Sequence, residues 1–142
     1  MTAKEYLQRI VSLSIRIRNL QQRLDRNDAS SVGLVPEYGK ETVSHSRKTD
    51  SMESVILSYV TFKNELDRKR MELNRIQGEC EKLIEKVPEP DERLILKLRY
   101  IKMCKWKEIT DIMCLSRRMV LYKHGYAMRS FEAVNSEYLS RM

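Results

Sequence analysis

The sequence predicts an all-α chain: two long heptad-patterned helices, forming a helical hairpin or coiled coil, followed by a C-terminal helix-turn-helix domain. Three observations lead there. Gly and Pro together number seven of 142 residues, so few positions can break a helix. Two Phe and one Trp are too few aromatics for a sandwich or barrel, whose strands favour them. Apolar residues also recur at intervals of three and four along most of the chain, the period of a helix face. The expected organisation is residues 1–87 as the helical hairpin, with a flexible connector at 28–50, and residues 88–142 as the helix-turn-helix domain.

The first helix is expected from Ala3 to about Asn27-Asp28. Tyr6, Ile10, Leu13, Ile17, Leu20 and Leu24 keep an unbroken a/d register, as a helix packing along one seam requires. Leu7, Val11 and Ile15 widen that stripe on one flank, which suits a helix with more than one neighbour. Residues 28–50 are rich in Ser and Thr, contain Gly33, Pro36 and Gly39, and show no period. That composition predicts a mobile connector with a short turn around Pro36-Glu37-Tyr38.

The second helix is expected from an Asp50 cap, with Glu53 closing a capping box. Met52, Val55, Tyr59, Phe62, Leu66, Lys69, Leu73, Ile76, Cys80, Leu83 and Val87 alternate at three and four, and Lys69 alone breaks the apolar seam. Pro88 and Pro90 stop the helix. About 36 residues at ~1.5 Å each give a rod of roughly 55 Å, against about 24 residues in the first helix. A hairpin of such unequal arms leaves seam uncovered. This favours a homodimer or higher oligomer through Tyr59, Phe62, Leu66, Lys69, Leu73 and Ile76, with Lys69 setting register.

In the last third, Asp91 and Glu92 suit the positive end of a helix dipole, and Leu94, Leu98 and Ile101, with Ile95 beside them, give that helix one apolar face. A polar break at Lys102–Lys105 leads into a second short helix from Trp106 to Met113, with Trp106, Ile109 and Met113 inward. Cys114-Leu115 then turn the chain and Ser116 caps a third helix, which opens with Arg117 and Arg118 and buries Val120, Ala127 or Met128, and Phe131. Two short helices, a tight turn and a third helix that begins with two arginines make a DNA-reading unit.

Charge agrees with this placement. The chain carries +7 with a pI near 9.4, which favours an anionic partner. Residues 97–129 hold nine Lys/Arg and two acids, so an excess equal to the whole net charge sits in one stretch. Arg117 and Arg118 can offer bidentate forks to base edges, with Leu121 and Tyr122 one turn later. Lys105, Lys107, Lys123 and Arg129 are placed for phosphates, as are the backbone N–H groups beside Ser116. The expected partner is double-stranded DNA.

Other chemistries find no support. Cys80, Cys104 and Cys114 are odd in number and lack a C-x-x-C pair, which suits neither a disulfide framework nor structural zinc. They read as small hydrophobes in a reducing cytoplasm. There is no run of 18 apolar residues, so no membrane partner is expected. No Gly-rich phosphate loop, H-E-x-x-H or G-x-S-x-G occurs. The expectation is a protein that is not an enzyme and takes no cofactor or metal.

Arg99-Tyr100-Ile101, Trp106-Lys107-Glu108-Ile109, Ser116, Val120 and His124-Gly125-Tyr126-Ala127-Met128 resemble sigma-70 region 4. More closely, they resemble the region-4-like domain of a family of small phage and prophage proteins of Gram-positive bacteria. Ala3-Lys4-Glu5-Tyr6-Leu7 and Val43-Ser44-His45-Ser46 followed by Asp50 fit the same layout, so the resemblance covers nearly the whole chain. Phage late-gene regulators of the muramidase-export and integrase-activator type share a similar last helix. The resemblance implies a phage or prophage transcription regulator in the cytoplasm of a bacterial host, acting on promoter DNA and on host RNA polymerase. The alternative is an interaction module that docks on a host protein such as RNA polymerase without reading sequence. By position, recognition would fall on Arg117, Arg118, Leu121 and Tyr122. Three departures from the pattern stand out. Thr110 replaces a small Ala at the helix crossing, Cys114 replaces Gly or Asn in the turn, and Leu121 and Tyr122 replace polar base-reading residues.

Overall fold

The computed structural model describes residues 1–37 and 45–142, with side chains described for 1–26 and 52–142. Among the described residues every regular element is helical and there is no strand. Six α-helices follow in order: α1 (Ala3–Glu37), α2 (His45–Ile84), α3 (Pro90–Leu96), α4 (Trp106–Met113), α5 (Arg117–Val134) and α6 (Ser136–Ser140), with a π-helical turn at Lys97–Ile101 after α3. No helix of the described residues is long and apolar enough to cross a membrane.

Two helix ends differ from expectation. α1 continues past Asn27-Asp28 to Glu37, and α2 begins at His45, ahead of Asp50. Ser, Asn and Asp lower helix propensity by only about 0.5 kcal/mol each, so their enrichment alone does not end a helix. The rest of the expected connector, with Tyr38 of the expected turn, lies outside the described residues. So does the side chain of the expected Asp50 cap.

The chain divides into two compact units, one of Met1–Leu13 with Leu73–Met142 and one of Ser14–Glu72. The boundary between them falls within α1 and α2 and does not coincide with Val87-Pro88.

In the Ser14–Glu72 unit, Leu20, Leu24 and Leu66 are buried together, with Ile17, Tyr59 and Phe62 packed against them. Arg23 lays its guanidinium 4.3 Å from the Phe62 ring centroid, and Arg70 donates to Gln21 Oε1 at 2.6 Å. The seam of α2 is therefore covered here by α1 of the same chain. α1 has 35 residues and α2 has 40, so the inequality of arms that favoured an oligomer through this seam is largely absent.

In the other unit, Tyr6, Leu7 and Ile10 of α1 are fully buried with Cys80, Ile84 and Val87, with Ile95 and Leu96 of α3, and with Ile109, Val120, Phe131 and Leu139. Phe131 stacks on Tyr6 with ring centroids 6.0 Å apart, and Tyr138 meets Tyr6 edge-on at 6.1 Å. The fully buried Phe131 ring contributes roughly 1.5–3 kcal/mol by leaving water. Asn135, between α5 and α6, is buried and donates from Nδ2 to the carbonyls of Leu83 (3.1 Å) and Phe131 (3.0 Å). The Cys80 thiol is pushed up to about 12 by burial and then by the charge of Glu81, so it packs as an inert hydrophobe.

The turn between α2 and α3 is clamped by Arg93, whose Nη1 donates to the carbonyls of Val87 (2.6 Å) and Pro88 (2.9 Å). Pro90 opens α3, where its missing N–H costs nothing. The buried face of α3 and its extension is Ile95, Leu96 and Tyr100. It is not Leu94, Leu98 and Ile101, and Leu94 is 40% exposed. Beyond Leu96 the π turn at Lys97–Ile101 breaks the 3.6-residue period, and Tyr100, not Leu98 or Ile101, continues the buried face. Gln77 Nε2 donates to the Tyr100 and Ile101 carbonyls at 3.0 and 3.4 Å and satisfies the loosened end.

Candidate nucleic-acid interface

α4 begins at Trp106 and ends at Met113, and Cys114 follows with φ 54° and ψ 40°. That is the left-handed region, which costs a residue with a Cβ about 1 kcal/mol, and the sequence departs from Gly or Asn at this position. Ser116 then takes extended dihedrals, and its Oγ accepts from the Met119 N–H at 3.2 Å. One of the orphan donors at the start of α5 is thereby satisfied. α4, the turn and the start of α5 fall at the residues expected from sequence, and α5 runs on to Val134. Val120, Ala127 and Phe131 are the buried positions of α5.

This cap aims the first turn of α5 into solvent. Arg117 and Arg118 are exposed and neither enters a salt bridge among the described residues. Leu121 and Tyr122 are 42% and 58% exposed one turn later. Lys105, at the cap of α4, and Lys107 in its first turn are exposed as well.

Lys123 and Arg129 are placed differently. Lys123 Nζ lies 3.2 Å from Asp91 Oδ2 of α3, an exposed ion pair that competes with a phosphate for its charge. The pairing spans 32 residues, which local spacing cannot reveal. Arg129 holds its guanidinium 5.1 Å from the Tyr126 ring centroid. Tyr126 itself meets Tyr122 edge-on at 4.9 Å, with the two hydroxyls 3.0 Å apart. Tyr126 was missed in the sequence, although its i, i+4 spacing from Tyr122 was a signal for it.

Behind this surface, Trp106 is held on two sides. Arg99 lies 4.6 Å over its ring and the His124 ring meets it edge-on at 4.8 Å. His124 Nε2 is 2.9 Å from the Tyr100 hydroxyl. Burial, and then the Arg99 charge, hold the His124 imidazole down to about 4. It is neutral at pH 7 and serves as a spacer between the π turn and α5.

The residues expected to oligomerise are partly or wholly covered within the chain. Tyr59, Phe62 and Leu66 pack in the cluster with α1. Lys69 is 24% exposed and lies 3.9 Å from Glu65, Leu73 is half-buried, and Ile76 is buried. Of the cysteines only Cys80 is a buried hydrophobe, since Cys104 is half-buried and Cys114 is exposed at the turn. Among the described residues no three His, Cys, Asp or Glu side chains converge.

Residues 35–132 match the family described as Protein of unknown function (DUF1492). Comparison with curated proteins and with solved structures gives no match.

Proposed function

The chain belongs to the DUF1492 family, and on that premise we propose that it is a DNA-binding transcription regulator of a phage or prophage. In this reading α4, the turn and α5 work as a helix-turn-helix, with α5 in the major groove. One observation carries it. Arg117 and Arg118 occupy the first two positions of α5, exposed and outside any salt bridge among the described residues, behind a Ser116-capped turn. In a reading helix those positions meet base edges, and a guanidinium fork reads guanine bidentately. Lys105 and Lys107 flank it as phosphate anchors. The half-apolar first turns, with Leu121 and Tyr122, favour thymine-methyl contacts and backbone binding over a dense hydrogen-bond code. Action on host RNA polymerase and residence in the host cytoplasm belong to the same proposal.

Selection from a randomised duplex pool tests it. Wild type is expected to enrich a motif, and the double variant Arg117→Ala/Arg118→Ala is expected to lose that motif while keeping its helical circular dichroism. Absence of duplex binding by wild type at low salt overturns the reading.

A second reading rests on the apolar exposure around the same arginines, since Ile112, Met119, Leu121 and Tyr122 are 42–58% exposed. Such a surface suits docking on a host protein such as RNA polymerase. A nuclease-resistant complex with the polymerase that Leu121→Ala abolishes would favour it, and unchanged capture by that variant would remove it.

A further inference from the structure

A groove of about 850 Å³ opens within the unit of residues 1–13 and 73–142, walled by the start of α1, the end of the π turn and α5. Its size falls in the range of small-molecule sites, roughly 300–1,000 Å³. Val11, Trp106, His124 and Met128 supply apolar and aromatic surface, and Lys4, Arg99 and Arg129 supply three cations. None of those cations forms a salt bridge among the described residues. Glu132 is the one carboxylate of the lining, and its Oε2 already accepts the Ala3 N–H at 2.9 Å. The groove is therefore a cationic rim over an aromatic floor.

Gly125 points the same way. It lies in the interior of α5, where glycine is disfavoured relative to alanine. Its φ is not positive, so the backbone does not need glycine there. A Cβ at this position would meet nothing within 4 Å, so no neighbour excludes a side chain either. What the missing side chain does is leave the groove open.

We propose that this groove binds a small anionic ligand with an apolar, ring-bearing body, of the aromatic carboxylate or sulfonate class. The anion is met by Lys4 with Arg99 and Arg129, and the rings lie against Trp106, His124 and Met128. The site stands apart from the DNA reading, because Lys4, Trp106 and Gly125 take no part in the proposed interface.

Trp106 is the only tryptophan and lines this groove, so it serves as the energy-transfer donor, and the variants locate the probe. The probes are 8-anilinonaphthalene-1-sulfonate and N-phenyl-1-naphthylamine, which share a ring system but differ in the sulfonate. The sulfonate is expected to bind the full chain at one site, with a Kd about tenfold below that of the amine. Lys4→Glu raises the sulfonate Kd about tenfold and leaves the amine unchanged. Gly125→Phe fills the groove and removes transfer to both, with unchanged circular dichroism. Equal affinity for the two probes, indifference of both to Lys4→Glu, or full binding by Gly125→Phe overturns the proposal. If Gly125→Phe loses its helical signal, the Lys4→Glu comparison decides alone. Duplex binding measured on the same variants keeps failure here separate from failure of the DNA reading.

Discussion

Ser116 separates stability from recognition, because it caps α5 at the point where the proposed DNA contacts begin. Its Oγ accepts one hydrogen bond, from the Met119 N–H at 3.2 Å, and the residue is exposed. Ser116→Ala leaves that donor to water, and loss of an N-cap of this kind costs about 1 kcal/mol. Spread over a chain of 142 residues, with an unfolding entropy of about 2.1 cal/mol/K per residue, that lowers Tm by about 3–4 °C. Ser116→Asp restores an acceptor and adds a favourable charge at the helix start, so its Tm stays within about 2 °C of wild type. The same carboxylate lies beside Arg117 and Arg118, where the proposal puts DNA phosphates, and duplex affinity falls about tenfold. Thermal unfolding by circular dichroism and fluorescence anisotropy with a labelled duplex read the two effects. If Ser116→Asp binds duplex as tightly as wild type, the first turn of α5 does not face DNA. If Ser116→Ala has an unchanged Tm, the cap contributes nothing and the geometry of the turn has been misread.

Four further outcomes follow from the same structure. Cys114→Gly relieves the left-handed turn and raises stability by about 1 kcal/mol, seen as a higher urea midpoint; a lower midpoint would show that the turn is unstrained. Leu66→Ala costs about 2–4 kcal/mol with no change of mass in sedimentation, because its neighbours Leu20 and Leu24 are in the same chain; dissociation to a smaller species would restore the oligomer reading. His124 is held down to about 4 in the folded protein against an unfolded value of about 6.5. The unfolded chain therefore binds the proton first, and the neutral ring's contribution is complete above pH 6.5 and lost as pH falls towards 4. His124→Gln flattens the fall of the urea midpoint between pH 6.5 and 5, where most carboxylates stay charged, and an unchanged slope would show that His124 titrates like a free imidazole. Lys123→Ala leaves duplex affinity within about twofold, because Asp91 competes for that charge; a loss as large as that of Arg117→Ala would place Lys123 on the DNA.

What the sequence disclosed was local. Ser116, the Trp106–Ile109–Met113 spacing and the prolines before α3 are signals read within a few residues, and α4, the turn and the start of α5 lie where those signals put them. The departure at Cys114 pointed to a left-handed residue before its φ was known. Composition misled at residues 28–37, where serines weaken a helix without ending it. The π turn had no signature, since it depends on Gln77 reaching across to the carbonyls of Tyr100 and Ile101. Long-range pairings were equally hidden. Leu7 widening the stripe of α1 announced a second neighbour, but only the fold shows that the start of α1 packs with Phe131 and Leu139. Lys123 and Asp91, and the lining of the groove, come from segments far apart in sequence for the same reason.

Duplex binding measured across salt tests the central claim most directly. Lys105 and Lys107, the phosphate anchors of the proposed interface, and Arg117 and Arg118, its base-reading residues, all lie outside any salt bridge among the described residues. If both lysines meet phosphates, they contribute up to about −1.8 to the slope of log affinity against log salt, at about 0.9 per contact. Lys105→Ala/Lys107→Ala removes up to about 1.8 of that slope, whereas Arg117→Ala/Arg118→Ala removes the sequence preference and leaves the slope. Undetectable binding at low salt, or a slope that the lysine double variant leaves unchanged, contradicts the account.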